Sequence, residues 1–344
     1  MNKEKSFNIL NNNKKLLLNI KLFFGMYRKS KLINKQIHNK LLKGFLLLVF
    51  ILIFILTKFQ REKFRYVKMV CLCLVAKNEN KYIIEFLEYY KNYGVDKIFI
   101  YDNNDINGEK FEDLIGNYIK TNFVELIDFK EIPTPQMEAY NDCYKKNNKY
   151  FDWLIFFDTD EYLYLKDFKN IKLFLSEKKF NQCEIIQLNY VFHSDNDLLY
   201  YDNRTLLERF PKIDYKKGGK IVKNRSNLKS IIRGNISNVK IVNPHYLSLV
   251  PKSCNVFGKK INFLHLNAIK MDYKYYYVNH YYYKSLEEFI EKALKTDAFN
   301  KKDISMEKLR EYFKNNLITK EKLDYAEKKT KLDLPSLYDF FLII

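Results

Sequence analysis

The chain has 344 residues, 47% of them apolar, and a net charge of +19. The apolar fraction excludes a disordered chain and leaves room for one large domain or two small ones. The charge alone would suggest a nucleic-acid binder, but residues 1–43 carry eleven Lys/Arg against one Glu, so much of the excess reads as membrane topology and no nucleic-acid partner is expected.

Residues 1–43 form a basic tail. Gly44 to Thr57 carry no charge, and extension to Leu41 and Phe59 gives 19 residues, close to the roughly 20 that cross a bilayer. Lys43 and Lys58 can snorkel at its ends. No face of the run is polar, which argues against a buried amphipathic helix. The long lead and the lack of a small-residue cleavage site argue against a cleaved signal peptide. Residues 44–59 are therefore expected to be an uncleaved signal anchor, with the basic tail cytoplasmic and residues 60–68 a short stem. This predicts a single-pass type II protein of a secretory-pathway membrane, the Golgi in a eukaryote.

Residues 69–75 are an apolar run of strand length. The polar loop Ala76-Lys77-Asn78-Glu79-Asn80 follows. Ile84, Leu87, Tyr90 and Tyr93 recur at helical spacing over 81–93, and Gly94 is the stop. Lys97–Tyr101 is a second strand, ending in Asp102-Asn103-Asn104-Asp105. A helix near 111–120 and a strand at 123–127 complete an alternation that predicts a mostly parallel sheet covered by helices. Ligands bind beyond the carboxyl ends of such strands, where these polar loops lie.

After Pro133 and Pro135, a helix from Gln136 to Lys145 leads into Trp153-Leu154-Ile155-Phe156-Phe157, a buried strand. It ends in Asp158-Thr159-Asp160-Glu161. Three carboxylates at the mouth of a core strand repel one another, and burial raises the cost. A bound cation is the usual resolution. Alternation along an extended segment points Asp158 and Asp160 the same way, which suits a Mg²⁺ or Mn²⁺ ion that also holds a diphosphate. The plainer reading makes them loop residues capping a helix.

Residues 184–192 are strand-like and lead to His193-Ser194-Asp195. Lys229-Ser230-Ile231-Ile232-Arg233 is a short strand with cations at both ends, and Asn243-Pro244-His245-Tyr246 is a turn. The tyrosines of 273–283 are expected in the core. Ser285 and Glu288 form a capping box opening a helix, the start of a helical extension over 286–344. Five cysteines without Cys-x-x-Cys spacing argue against a zinc site. They leave one or two disulfides open in an oxidising compartment.

With these pieces in order, the chain resembles glycosyltransferase family 92 and the wider family-2-like transferases of GT-A fold. The resemblance rests on Cys73-Leu-Val-Ala-Lys-Asn-Glu79 with Glu85-Phe-Leu-Glu-Tyr-Tyr90, and on Phe99-Ile-Tyr-Asp-Asn-Asn-Asp105. It continues through Gln136 with Ala139-Tyr140-Asn141-Asp142-Cys143, Asp152-Trp153 to Asp158-Thr-Asp-Glu161, and Lys229 to Arg233. It closes with Pro244-His245 and Val278-Asn-His280-Tyr281-Tyr-Tyr-Lys-Ser285. It covers about residues 69–300, with the transferase domain at 69–285. The resemblance implies that Lys77, Asn78 and Glu79 line a nucleotide pocket and that Asp102 contacts uracil or ribose. It implies that Asp158 and Asp160 hold Mn²⁺ and the diphosphate of a UDP-sugar, with His280, or less readily His245, a further ligand. UDP-galactose, a glycan acceptor and inversion at the anomeric carbon follow from the same resemblance. The chemistry asks for cations, for which Lys229 and Arg233 are candidates. It also asks for a carboxylate base, for which Glu161, Asp195 and Glu208 are candidates, since no Glu-Asp pair stands where the family-2-like enzymes carry theirs. The sequons at Asn203, Asn224 and Asn235 agree with a lumenal domain.

Two other classes are weighed against this reading. A Mg²⁺-dependent phosphatase also opens on apolar-Asp-x-Asp, but there the pair comes early in the domain and an acidic pair follows. A relative that binds sugar or nucleotide without turnover keeps the same motifs.

Overall fold

The computed structural model describes residues 44, 47, 66–193, 198–213, 228–237, 239–245, 252–261, 274–294, 312–313 and 319–330. The chain divides into two units, Met1–Lys63 and Phe64–Ile344. The first, with the expected anchor, lies outside the described residues apart from Gly44 and Leu47. No helix among the described residues is long and apolar enough to cross a membrane.

The second unit is a mixed α/β body that begins as the alternation predicts. β1 (Val70–Ala76), α1 (Ile83–Asn92), β2 (Lys97–Asp102), α2 (Glu112–Lys120), β3 (Val124–Asp128), α3 (Gln136–Asn147) and β4 (Trp153–Phe156) follow in turn. Gly94 ends α1 at φ +88, and the next amide, that of Val95, returns to the Tyr90 carbonyl at 3.0 Å. A side chain there would collide with Asn170. Beyond β4 lie β5 (Glu161–Leu165), α4 (Ile171–Leu175), β6 (Ile185–Phe192), α5 (Leu206–Arg209), β7 (Leu228–Arg233), β8 (Ser253–Asn255), β9 (Tyr276–His280), α6 (Leu286–Leu294) and α7 (Lys320–Thr330).

Among the described residues, nine strands form one sheet in the order β3-β2-β1-β4-β7-β6-β9-β5, with β8 added on β6. β3, β2, β1 and β4 are parallel. β7 runs antiparallel between β4 and β6. The first half of β6 pairs with β8 and its second half with β9, so the sheet divides along that strand. Both faces of β1 are buried: Leu72 and Leu74 pack with α1, while Cys71 and Cys73 pack with Ala139, Tyr140 and Cys143 of α3. This is why the strand reads as a continuous apolar run rather than an alternating one. Cys183 and Cys254 form a disulfide, and Cys71, Cys73 and Cys143 are buried thiols. Tyr277, Tyr281 and Tyr283 lie in the core, as expected. β5, β8 and β9 were not distinguished in the sequence.

Candidate functional site

β2, β1 and β4 are adjacent and parallel, so their carboxyl ends share one edge. The three polar clusters read in the sequence converge there. Asn78 has φ +55, a left-handed conformation that Asn tolerates. Its N–H donates to Asn104 Oδ1 at 2.7 Å, and Lys77 Nζ meets Asp105 at 2.7 Å. Asp102 is buried and turned inward. Its Oδ1 accepts from the Asn104 amide at 3.0 Å and its Oδ2 faces Lys130 at 3.6 Å. Burial pushes its carboxyl above the usual range.

Residues 158–161 make a tight turn, in which the Glu161 N–H donates to the Asp158 carbonyl at 3.1 Å and the Asp158 N–H donates to Glu161 Oε2 at 3.0 Å. The extended geometry expected for Asp158 and Asp160 is thereby corrected. The turn directs Asp158 and Asp160 to different cations. Asp158 Oδ2 meets Lys229 Nζ at 2.8 Å, and its Oδ1 accepts from Gln136 Nε2 at 2.9 Å. Asp160 Oδ2 meets Lys292 Nζ at 2.7 Å, and its Oδ1 lies 3.5 Å from His280 Nε2. Glu161 Oε2 meets Lys229 at 2.9 Å. β5 and β9 place Glu161 opposite His280 in register, with Glu161 Oε1 4.0 Å from His280 Nε2.

Glu161 Oε1 is buried and, among the described residues, has no hydrogen-bond donor. Leaving a carboxylate oxygen so is costly. Glu161, Asp160 and His280 each offer a ligand atom within 4.8 Å of the other two, and two carboxylates with an imidazole suit a divalent cation such as Mn²⁺. The residues present thus fit a metal, although the set is Asp160, Glu161 and His280 rather than Asp158, Asp160 and His280. Burial pushes Glu161 up to about 7, against the pull of Lys229. Burial also opposes ionisation of Asp158 and Asp160, but Lys229 outweighs it at the first, and Lys292 with His280 at the second, so both carboxyls are held below the usual range.

The remaining candidates separate. Lys229, fully buried, belongs to the site. Arg233 lies at the other end of β7, where it pairs with Trp153 at the start of β4. Its guanidinium covers that indole at 4.2 Å and donates to the carbonyls of Phe180 and Cys183 at 2.7 and 2.8 Å. Glu208 is exposed and closes a capping box with Thr205 on α5. Asp195 lies outside the described residues. His245 flanks Tyr190, which also meets the His280 ring, and burial together with Lys229 pushes its imidazole down to about 4. Glu79 acts electrostatically on Lys284 and Lys292.

Lys292 and Lys284 were missed. Glu288 and Lys292 stand four apart on α6, a spacing that reads as an ordinary intrahelical pair. In the fold Glu288 turns to Arg209 and Lys292 to Asp160. Lys284 is buried at φ +50, its ammonium 3.4 Å from the centroid of the Tyr82 ring.

A glycosyltransferase family 92 protein of Ricinus communis is 23% identical over 129 residues, covering 36% of this chain and 22% of that protein. The chain thus spans under a quarter of that relative's length. Solved structures of S. aureus TarS are also similar. TarS 1–349 aligns at 13% identity and TM-score 0.37 over 74% of this chain and 68% of that one. Its complex with UDP aligns at 12% and 0.36 over 78% and 73%. TM-scores this low carry no weight for the fold or the chemistry. The family profile described as Glycosyltransferase family 92 matches residues 68–320, which include every described member of the carboxylate cluster and its cationic partners, and the chain belongs to that family.

Proposed function

We propose that the chain is a metal-dependent glycosyltransferase of GT-A type that moves a sugar from a UDP-sugar, UDP-galactose in the first instance, to a glycan with inversion. The observation that carries this reading is the buried set Asp160, Glu161 and His280 at the carboxyl edge of the parallel strands, with one carboxylate oxygen that has no hydrogen-bond donor among the described residues.

Asp160, Glu161 and His280 would hold the metal. When bound, a divalent cation offsets the charge that develops on a departing diphosphate. Lys229 holds Asp158 ionised, bridges it to Glu161 and fixes the turn that aims Asp160. The loops at Lys77–Glu79 and Asp102–Asp105, tied by the Asn78–Asn104 bond, form the wall against which the nucleoside would lie. Glu161, held on Lys229 and wholly buried, serves as a ligand in this reading rather than as the base. The disulfide favours an oxidising compartment. With the basic lead and residues 44–59, it supports a type II protein anchored in a secretory-pathway membrane.

The test follows UDP release by the full chain from a panel of UDP-sugars, with Mn²⁺ and with chelator, for wild type and Asp160→Ala. Release from one donor that needs Mn²⁺ and is lost in Asp160→Ala is expected. A folded protein that neither releases nor binds UDP would overturn the reading.

A further inference from the structure

The site holds two lysines of different kinds. Lys229 is fully buried and meets both Asp158 and Glu161. Lys292 meets Asp160 at 2.7 Å with its side chain 40% exposed. Its ammonium also lies 4.8 Å from the centroid of the Tyr282 ring, a second seat within reach. The helix that carries it is fixed from behind: Glu288 is clamped by Arg209, Tyr82 and Ser285, and Glu291 meets Lys81 at 2.7 Å. α6 is thus tied through Glu288 and Glu291, and the Lys292 side chain is the less enclosed of the two lysines. Beside it stands Lys284, whose ammonium, among the described residues, meets the Tyr82 ring rather than a carboxylate. Its left-handed backbone is a strained state that persists only where the surroundings enforce it.

Asp160 is shared between these cations and the metal set. A divalent cation bound to Asp160 and His280 would lie beside the ammonium of Lys292, and two cations on one carboxylate repel. A nucleotide sugar brings two phosphates that need positive partners on the same edge. Resting on the reading above, we propose that Lys292, with Lys284 beside it, is a ligand for the diphosphate of the nucleotide sugar, and that it occupies Asp160 as an exchangeable counter-ion until a metal takes that carboxylate.

The exchange gives the Lys292 charge opposite effects on two ligands. In the full chain, Mn²⁺ binding without nucleotide is measured by the loss of the free-ion electron paramagnetic resonance signal. UDP binding at saturating Mn²⁺ is measured by calorimetry. Lys292→Met is expected to bind Mn²⁺ several-fold more tightly and UDP on the order of tenfold more weakly, the loss expected for one charge-assisted contact. Lys292→Arg, which keeps the charge, is expected to hold UDP near the wild-type affinity. Lys292→Met weakening both ligands, or changing neither, would overturn the proposal, as would Lys292→Arg losing UDP to the same extent as Lys292→Met. A wild type that binds neither Mn²⁺ nor UDP would instead remove the metal-dependent reading on which the proposal stands.

Discussion

Arg209 and Glu288 meet in a two-point ion pair, Nη1 to Oε2 at 2.6 Å and Nη2 to Oε1 at 2.9 Å, with both side chains 1% exposed. The Tyr82 hydroxyl donates to the same carboxylate at 2.6 Å. The pair joins α5 to α6, and so fixes the helix whose later turn places Lys292 on Asp160.

Burial alone would raise the Glu288 carboxyl, but Arg209, Ser285 and Tyr82 outweigh it and hold it at about 2, below its ordinary 4.5. A carboxyl depressed in the fold contributes stability that is present above its unfolded pKa and lost as pH falls through the folded one. The contribution is about 3 kcal/mol, lost between roughly pH 4.5 and pH 2. Glu288→Gln is expected to flatten that acid limb and to cost about 3–5 kcal/mol at neutral pH, since Arg209 stays buried without a counter-charge. Denaturant unfolding followed from pH 2 to 7 measures both.

Lys229 is the sole cation within 4.0 Å of Asp158 or Glu161 among the described residues, apart from His280 if it is protonated. Lys229→Met therefore leaves the buried Glu161 and the partly buried Asp158 without their ammonium partner and is expected to cost about 3–5 kcal/mol. Adding Asp158→Asn should recover part of the loss. A double-mutant cycle on unfolding midpoints checks the coupling.

Arg233 tests the separation of the two ends of β7. Arg233→Met removes the donors to the carbonyls of Phe180 and Cys183, at a cost of about 2–4 kcal/mol. UDP affinity at saturating Mn²⁺ should be unchanged. A large loss of UDP binding without loss of stability would place Arg233 back in the donor site.

Cys183 and Cys254 are 71 residues apart in sequence, and closing a loop of that length is worth about 4 kcal/mol in the chain-entropy treatment. Cys183→Ser should lower stability by about that amount. Alkylation of the unreduced, denatured chain should label Cys71, Cys73 and Cys143 and leave the other two cysteines unmodified, read by mass.

His280→Ala should weaken Mn²⁺ binding at least tenfold, an effect on the scale seen when even supporting groups of a metal site are removed. Asp158→Asn should weaken it less, because Asp158 lies outside the set that converges. Titration of free Mn²⁺ distinguishes the two.

The sequence by itself determined the α/β class, the parallel start of the sheet and the edge on which the polar loops lie. Those features follow from local patterns: apolar runs of strand length, helical spacing over 81–93 and the stop at Gly94 are complete within short windows. The same local reading singled out Asp158, Asp160, Glu161 and Lys229, since carboxylates and cations at strand ends stand out against an apolar background, whereas His280 came from the family resemblance. The local reading misjudged the turn at 158–161, because the two alternatives share one composition and differ only in where the chain goes next. What only the tertiary structure decided is the pairing. Lys229 reaches Asp158 across 71 positions and Lys292 reaches Asp160 across 132, while His280 stands opposite Glu161 because β9 lies between β6 and β5. Periodicity records which face of an element is buried, whereas charge partners depend on strand order and on the clamp that seats α6. For the same reason Arg233, alike in type and spacing to Lys229, ends on Trp153 at the opposite edge.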